Sequence, residues 1–181
     1  MKYERTILLK NGKEALVRNS EGNDGAIVLA SYKQISAETD YLLTYPDEIT
    51  FTPETEAAFL QKKADSDKEC HIIAIVDDKV VAMASLDSCG SQFKVRHRAG
   101  VGVSVLKEYC NLGLGSALLK ACIQCAKEAG YSQIILNVIS DNTPAVKLYK
   151  KLGFVEFGRN PKGLKSRDTG YQELIYMSLD L

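Results

Sequence analysis

Between Ala99 and Gly130 the chain reads AGVGVSVLKEYCNLGLGSALLKACIQCAKEAG, and this stretch limits the available folds more than any other. Val101, Val103 and Val105 alternate with small residues, which is the period of a strand. A short polar turn and two glycines, Gly113 and Gly115, follow. Apolar residues then recur at Leu114, Ala117, Leu118, Ala121, Cys122, Cys125, Ala126 and Ala129, the spacing of a helix with one buried face. Gly130 stands where a helix closes with a left-handed residue. A strand, a glycine turn and a helix start bring unpaired N–H groups and a positive helix end to one point. That point is an anion site, best suited to a phosphate or pyrophosphate.

The rest of the chain narrows the class. Its 181 residues suffice for one domain with a proper core, and two would be cramped, so residues 1–181 are read as a single unit. A formal charge of zero argues against a broad basic face for nucleic acid. No apolar run is long enough to span a bilayer, and the opening MKYERTILLK lacks the apolar centre of a signal peptide, so a cytoplasmic protein is expected. The five cysteines have no scaffold spacing. Cys122 and Cys125 form C-x-x-C, but redox pairs of that kind sit at a helix start, whereas these fall inside the helix on its apolar face. A buried structural role is the expectation. His71 and His97 stand apart from each other and from any ligand cluster, so no metal is expected.

In chain order, Ile7–Leu9 and Ala15–Val17 flank Asn11–Gly12 as a hairpin or as a strand preceded by an arm. Asp24 to Gln34 reads as a first helix. Glu38 to Phe51 is an acidic, aromatic loop broken by Pro46. Thr52-Pro53-Glu54 opens a second helix that runs to about Ala64. Two strands, His71 to Asp77 and Lys79 to Leu86, flank Asp77–Asp78 as a hairpin. Gln133 to Ile139 is a buried strand, parallel to a neighbour, and Pro144 to Leu152 a short helix ended by Gly153. Phe154 to Gly158 and Tyr171 to Leu179 close the chain as strands around a basic loop carrying Arg159, Lys162, Lys165 and Arg167. The sum is an α+β fold with a mostly antiparallel sheet.

Three phosphate sites compete for the glycine turn. A dinucleotide fingerprint needs a third small residue, where Leu118 stands, and an acid about 20 positions on, where the next strand offers Asn137 but no acid. A Walker loop needs Lys after its last glycine, and Gly115-Ser116-Ala117 has none. The third fits. Val103-Ser104-Val105 followed by Cys110-Asn111-Leu112-Gly113-Leu114-Gly115-Ser116 resembles the coenzyme A loop of the GNAT superfamily of N-acetyltransferases. A second block in register, Asn142-Thr143-Pro144-Ala145 through Leu148-Tyr149 to Leu152-Gly153-Phe154, is similar to that family's downstream helix.

The resemblance implies a three-layer α/β/α arrangement with a centrally splayed sheet, and acetyl-CoA as cosubstrate without a metal. It implies coenzyme contacts from Val103, Ser104, Val105, Cys110, Asn111, Leu112, Gly113, Leu114, Gly115, Ser116, Asn142 and Tyr149. The thioester oxygen would lie near a backbone N–H at Val103 or Val105. By periodicity Tyr149 is a core aromatic and Asn142 a helix cap. The resemblance adds a role for each: Tyr149 as general acid to the leaving thiolate, Asn142 as a partner of the pantetheine arm. Two positions depart from the pattern. Cys110 stands where the family usually has Gln or Arg. In the branch resembled most, which includes ribosomal-protein and small-amine acetyltransferases, the central strand often carries a Glu, whereas Arg98-Ala99-Gly100-Val101-Gly102 has no carboxylate.

The acceptor expected is an amine, on a small molecule or on a protein or peptide, reached by direct transfer in a ternary complex. Glu38, Asp40, Asp47 and Glu48 would favour a cationic one. Glu48 and His97 are the acceptor-side candidates, nucleic acid and membrane are not expected as partners, and a homodimer stays open. The alternative is a coenzyme A-binding sensor that has kept the fold and lost turnover.

Overall fold

The structure is a computed structural model and describes residues 2–181. Where the chain must reverse tightly, its residues tolerate left-handed backbone. Strands β1 (Glu4–Leu8) and β2 (Glu14–Asn19) form the hairpin expected around Asn11–Gly12, with Gly12 at φ +83°. Strands β3 (Cys70–Val76) and β4 (Lys79–Ser88) join through Asp77 and Asp78, at φ 48° and 62°. Two consecutive left-handed residues make the two-residue turn whose twist matches the strands it connects.

Helix α1 (Gly25–Glu38) runs one turn beyond the expected end. Helix α2 (Pro53–Ala64) starts as the sequence indicates, with Thr52 capping the Thr55 N–H and Pro53 at the first position. Strand β5 (Arg98–Val105) leads into helix α3 (Leu114–Glu128), and strand β6 (Gln133–Ile139) into helix α4 (Thr143–Lys151). Strands β7 (Val155–Ser166) and β8 (Gly170–Asp180) finish the sheet, whose order is β1-β2-β3-β4-β5-β6-β8-β7.

Every pairing is antiparallel except β5 with β6. That parallel pairing covers only Arg98–Gly100 against Gln133–Ile135, so the two strands part after Gly100. From Val101 onward β5 is held by β4 alone and its other edge is open. This splay at the centre of the sheet positions the site. Strands β3 and β4 are buried almost throughout, without the alternation of a one-sided sheet, because helices cover both faces. The α+β architecture expected from the sequence, with a mostly antiparallel, centrally splayed sheet, is the one observed.

The register identifies the two faces. Cys70, Leu86 and Val101 lie opposite one another, as do His71, Ser85 and Gly102 one step along. Cys70 lies beside the thiols of Cys122 and Cys125 of α3, so its row faces α3. His71 meets the ring of Phe59 edge-on at 6.4 Å, so its row faces α2. The C-x-x-C pair is thus core, with both residues at most 1% exposed, and hydrogen bonding to the neighbouring thiol and burial push the thiols of Cys70 and Cys125 well up. Such thiols are poor nucleophiles.

Two sequence expectations are corrected. Ala117 does not join the buried face of α3, which Leu119 fills instead. The basic segment from Arg159 to Arg167 is not a loop: β7 continues through Ser166 and turns at Gly170, φ +79°. Asn160-Pro161-Lys162-Gly163 has the composition of a turn, but a register irregularity between Asn160 and Leu164 absorbs it. Pro161 is tolerated because β7 is an edge strand with no outer partner to bond. Gly163 is required there, since a Cβ would come within 2.6 Å of Leu174. Among the described residues no helix is long and apolar enough to cross a membrane.

Candidate active site

Where β5 and β6 part, a cleft of about 1090 Å³ opens. Its floor is the free part of β5, Val101 to Val105, and one wall is the turn from Cys110 to Ser116. Gly113 caps α3 at φ +104° and Asn111 lies at φ 63°, two left-handed residues that let the chain turn sharply from strand to helix. The first bond into the helix is from the Ala117 N–H to the Gly113 carbonyl (3.1 Å), and among the described residues the amides of 111–116 have no partner. The turn that carries these amides and the positive end of α3 border the cleft, the arrangement that binds phosphate oxygens. Gly115 is needed for a second reason: a Cβ there would sit 3.1 Å from Leu148 of α4, the helix forming the opposite wall.

Nearly all residues expected at the coenzyme line this cleft: Val103, Ser104, Val105, Cys110, Asn111, Leu112, Gly113, Gly115, Ser116, Asn142 and Tyr149. Leu114 does not, because its side chain is 1% exposed in the core. Asn142 caps α4, its Oδ1 accepting the Ala145 N–H at 3.3 Å, so the reading of Asn142 as a cap holds. Tyr149 is both a core aromatic and a cleft residue. Its ring packs edge-on against Phe154 at 5.8 Å, and burial raises its phenol to about 12. The hydroxyl therefore stays protonated at neutral pH, the state of a proton donor. Cys110 directs its sulfur back at the Val105 and Leu106 carbonyls (3.9 and 3.6 Å).

Side chains that the sequence did not single out add positive charge. Arg5 and Lys10 reach the cleft from the first hairpin, joined by Lys107, Lys120 and Lys151. The hairpin is docked on the turn itself, the Lys10 N–H donating to the Leu112 carbonyl at 3.3 Å. About 100 residues separate these partners, and no local pattern in Met1 to Lys13 marks them.

The acceptor-side candidates lie elsewhere. His97 is exposed at the start of β5, and its carbonyl accepts the Ser132 and Gln133 N–H groups at the closed end of the splay. Glu48 sits on a short 3-10 turn, Pro46–Glu48, where it accepts the Tyr45 N–H (2.9 Å) and pairs with Arg167 (3.2 Å). The other carboxylates of that segment are also engaged. Arg167 pairs with Asp47, Asp40 accepts from Tyr45 and Gln172, and Glu38 accepts the Lys107 N–H, which holds its carboxyl below the usual range. The acidic stretch is a strap tying residues 38–48 to the last hairpin, with little free charge to offer a ligand.

A second, smaller cavity of about 310 Å³ lies on the α1/α2 side of β5. Gly102, Val103 and Ser104 line both cavities, so the two meet across the middle of β5. Tyr32, Phe51, Glu56, Phe59, His71, Met83 and Ser85 supply most of its remaining wall. Burial lowers the His71 imidazole to about 4, leaving it neutral at pH 7, with Nδ1 2.9 Å from the Ser20 hydroxyl.

A family model described as the acetyltransferase (GNAT) family matches residues 36–154. An N-alpha-acetyltransferase of Sulfurisphaera tokodaii is 30% identical over 148 residues, 81% of this chain and 84% of the relative. An L-amino acid N-acetyltransferase of Escherichia coli is 27% identical over 91% of this chain and 97% of its own. A crystal structure of a GNAT-family acetyltransferase from Streptococcus pneumoniae superposes with a TM-score of 0.88 at 30% identity, covering 92% of this chain and 99% of that one. The chain belongs to the GNAT family of acetyltransferases. It is accordingly an acyltransferase, and enzymes of this class take the acetyl group from acetyl-CoA.

Proposed function

We propose that the protein transfers an acetyl group from acetyl-CoA to a primary amine, directly, with both substrates bound at once. The observation that carries this reading is the pair of cavities meeting at Gly102–Ser104, one rich in free amides and cations, the other apolar. In this reading the amides of 111–116 hold the pyrophosphate, helped by the lysines and Arg5 around the cleft. The open edge of β5 at Val103 to Val105 pairs with the pantetheine amides and supplies an N–H to the thioester oxygen as charge builds there. Asn142 supports the pantetheine arm. The amine nitrogen forms its bond to the carbonyl carbon, the carbon–sulfur bond breaks, nitrogen loses a proton to water, and sulfur receives one from the Tyr149 hydroxyl, which water reprotonates. A dry site raises the thiol pKa along with that of the phenol, so burial of Tyr149 does not by itself defeat the transfer. Both curated relatives are named for amino-group acetylation, which supports an amine acceptor.

Thiol release from acetyl-CoA, measured against amines, amino acids and short peptides beside a direct coenzyme titration, tests the proposal. Turnover with an amine is the expected result. Tight coenzyme binding without turnover on any acceptor would favour the sensor alternative, and absence of binding would overturn the assignment of the glycine turn.

A further inference from the structure

The smaller cavity narrows the acceptor. Residues opposite one another in the sheet share a face, and those two apart on a strand share it too. On the α1/α2 face β5 therefore presents Gly100, Gly102 and Ser104, with Ser85 and Met83 beside them on β4. Of the β5 residues that the register puts on this face none carries more than a hydroxymethyl, and a Cβ built on Gly102 would meet nothing within 4 Å. The trough has apolar sides in Tyr32 and Met83, and Phe51 and Phe59, 50% and 42% exposed, stand at its wall with ring surface uncovered.

Its polar groups are committed or neutral, with one exception. The Ser85 hydroxyl donates to Asp87 (2.7 Å), which with Glu69 is paired to the buried Lys63. His71 is uncharged at neutral pH and linked to Ser20. Glu56, on α2, is the exception: it is the one charged residue lining the cavity, is half-buried, and among the described residues its carboxylate has no hydrogen bond or ion pair. Burial raises its carboxyl above the usual range, as expected for a carboxylate with no cation beside it. A cavity with one unpaired carboxylate and no cation draws in an ammonium and disfavours a second carboxylate.

We propose that this cavity binds the acceptor, and that it selects a primary amine carried on a compact apolar or aromatic body with no carboxylate next to the amine. The proposal rests on the acetyl-transfer reading above and goes further by fixing the acceptor's chemistry. The apolar body covers Phe51, Phe59 and Met83, Glu56 attracts the ammonium on entry, the ammonium gives one proton to water, and the neutral nitrogen reaches the thioester where the two cavities join at Gly102–Ser104. Glu56 is thus a specificity residue. A free amino acid would bring its carboxylate into the same field with nothing to pair it. A polyamine would bring further charged nitrogens into a cavity whose single carboxylate can pair only one of them.

The test compares kcat/KM for 2-phenylethylamine, L-phenylalanine, spermidine and a tripeptide N-terminus with acetyl-CoA saturating. The expected result is a preference for 2-phenylethylamine over each of the others of at least about 30-fold. Glu56→Gln should raise the KM for 2-phenylethylamine about tenfold with kcat and coenzyme affinity little changed. Glu56→Lys should reverse the order of 2-phenylethylamine and L-phenylalanine, an outcome that a purely structural role for Glu56 does not produce. Faster turnover of the amino acid, the polyamine or the peptide would overturn this proposal and leave acetyl transfer intact. So would an unchanged amine-to-amino-acid ratio in both variants. Coenzyme binding without turnover of any of the four would also overturn it. Failure of acetyl-CoA to bind at all would remove the underlying reading instead.

Discussion

The two sides of β5 are built in different ways. On the coenzyme side most of the site is backbone: free amides from 111 to 116, an open strand edge and a helix end, all within one stretch of about twenty residues. On the side proposed for the acceptor the cavity is walled by side chains delivered by α1, α2, β3 and β4, residues that are far apart in sequence. A backbone site tolerates changes of side chain but not of dihedral angle. A side-chain site behaves the opposite way, and that contrast can be tested one residue at a time.

The largest expected effect is on Tyr149, where a side chain matters on the coenzyme side. Tyr149→Phe should lower kcat by roughly 10²-fold or more with coenzyme affinity nearly unchanged, measured by thiol release and by titration. An undiminished kcat would remove Tyr149 from the role of acid.

Next is Gly113→Val, which imposes a β-branched residue on φ +104°. Strain of about 1–3 kcal/mol is expected in chemical denaturation, together with loss of coenzyme affinity. Because a Cβ at Gly113 would meet nothing within 4 Å, the damage should come from the backbone and not from a clash. Gly113→Ala should then fall between the wild type and the valine variant in affinity. A valine variant that binds coenzyme normally would show that the amides need no special dihedral angle.

His71 probes the acceptor side. Its pKa is depressed in the folded chain, to about 4 from an ordinary 6.5, so between these values the unfolded chain binds more protons than the native one. Stability should therefore be fully present above pH 6.5 and fall as pH drops toward 4, by up to about 3 kcal/mol. His71→Gln should flatten that part of the curve in denaturation series across pH. An equally steep decline in the variant would assign the loss to other groups.

The smallest effect should come from the exposed strap. Arg167 pairs with Asp47 and Glu48 at the surface, where water and salt screen the charges. Arg167→Ala should leave the melting temperature almost unchanged and shift the acceptor KM more than the coenzyme Kd. A large fall in melting temperature would show that residues 38–48 contribute to the fold as a whole.

The same division explains what could be read in advance. The strand, the glycine turn and α3 were legible because their signals are local: alternating valines, glycines where φ is positive, apolar residues at helical spacing. Thr52-Pro53 and Asp77–Asp78 were legible for the same reason, since caps and two-residue turns are set by a few neighbouring residues. Glu56 and His71 were not, because what distinguishes them is a shared cavity that forms only when α2 packs on β3 and β4. Glu48 and His97 drew attention by composition alone, and the packed chain puts neither in a cleft. The basic segment of β7 failed in a related way, its turn-like composition yielding to the hydrogen bonds of β8.

By itself, then, the sequence determined the anion-binding turn, the two signature blocks around it and, through them, the GNAT fold and its donor, because these depend on backbone angles that a few adjacent residues impose. The tertiary structure decided how far β5 and β6 separate, which cations from the first hairpin reach the cleft, and which carboxylates are already paired. Those outcomes depend on distances between segments tens of residues apart, and only the packed core sets them.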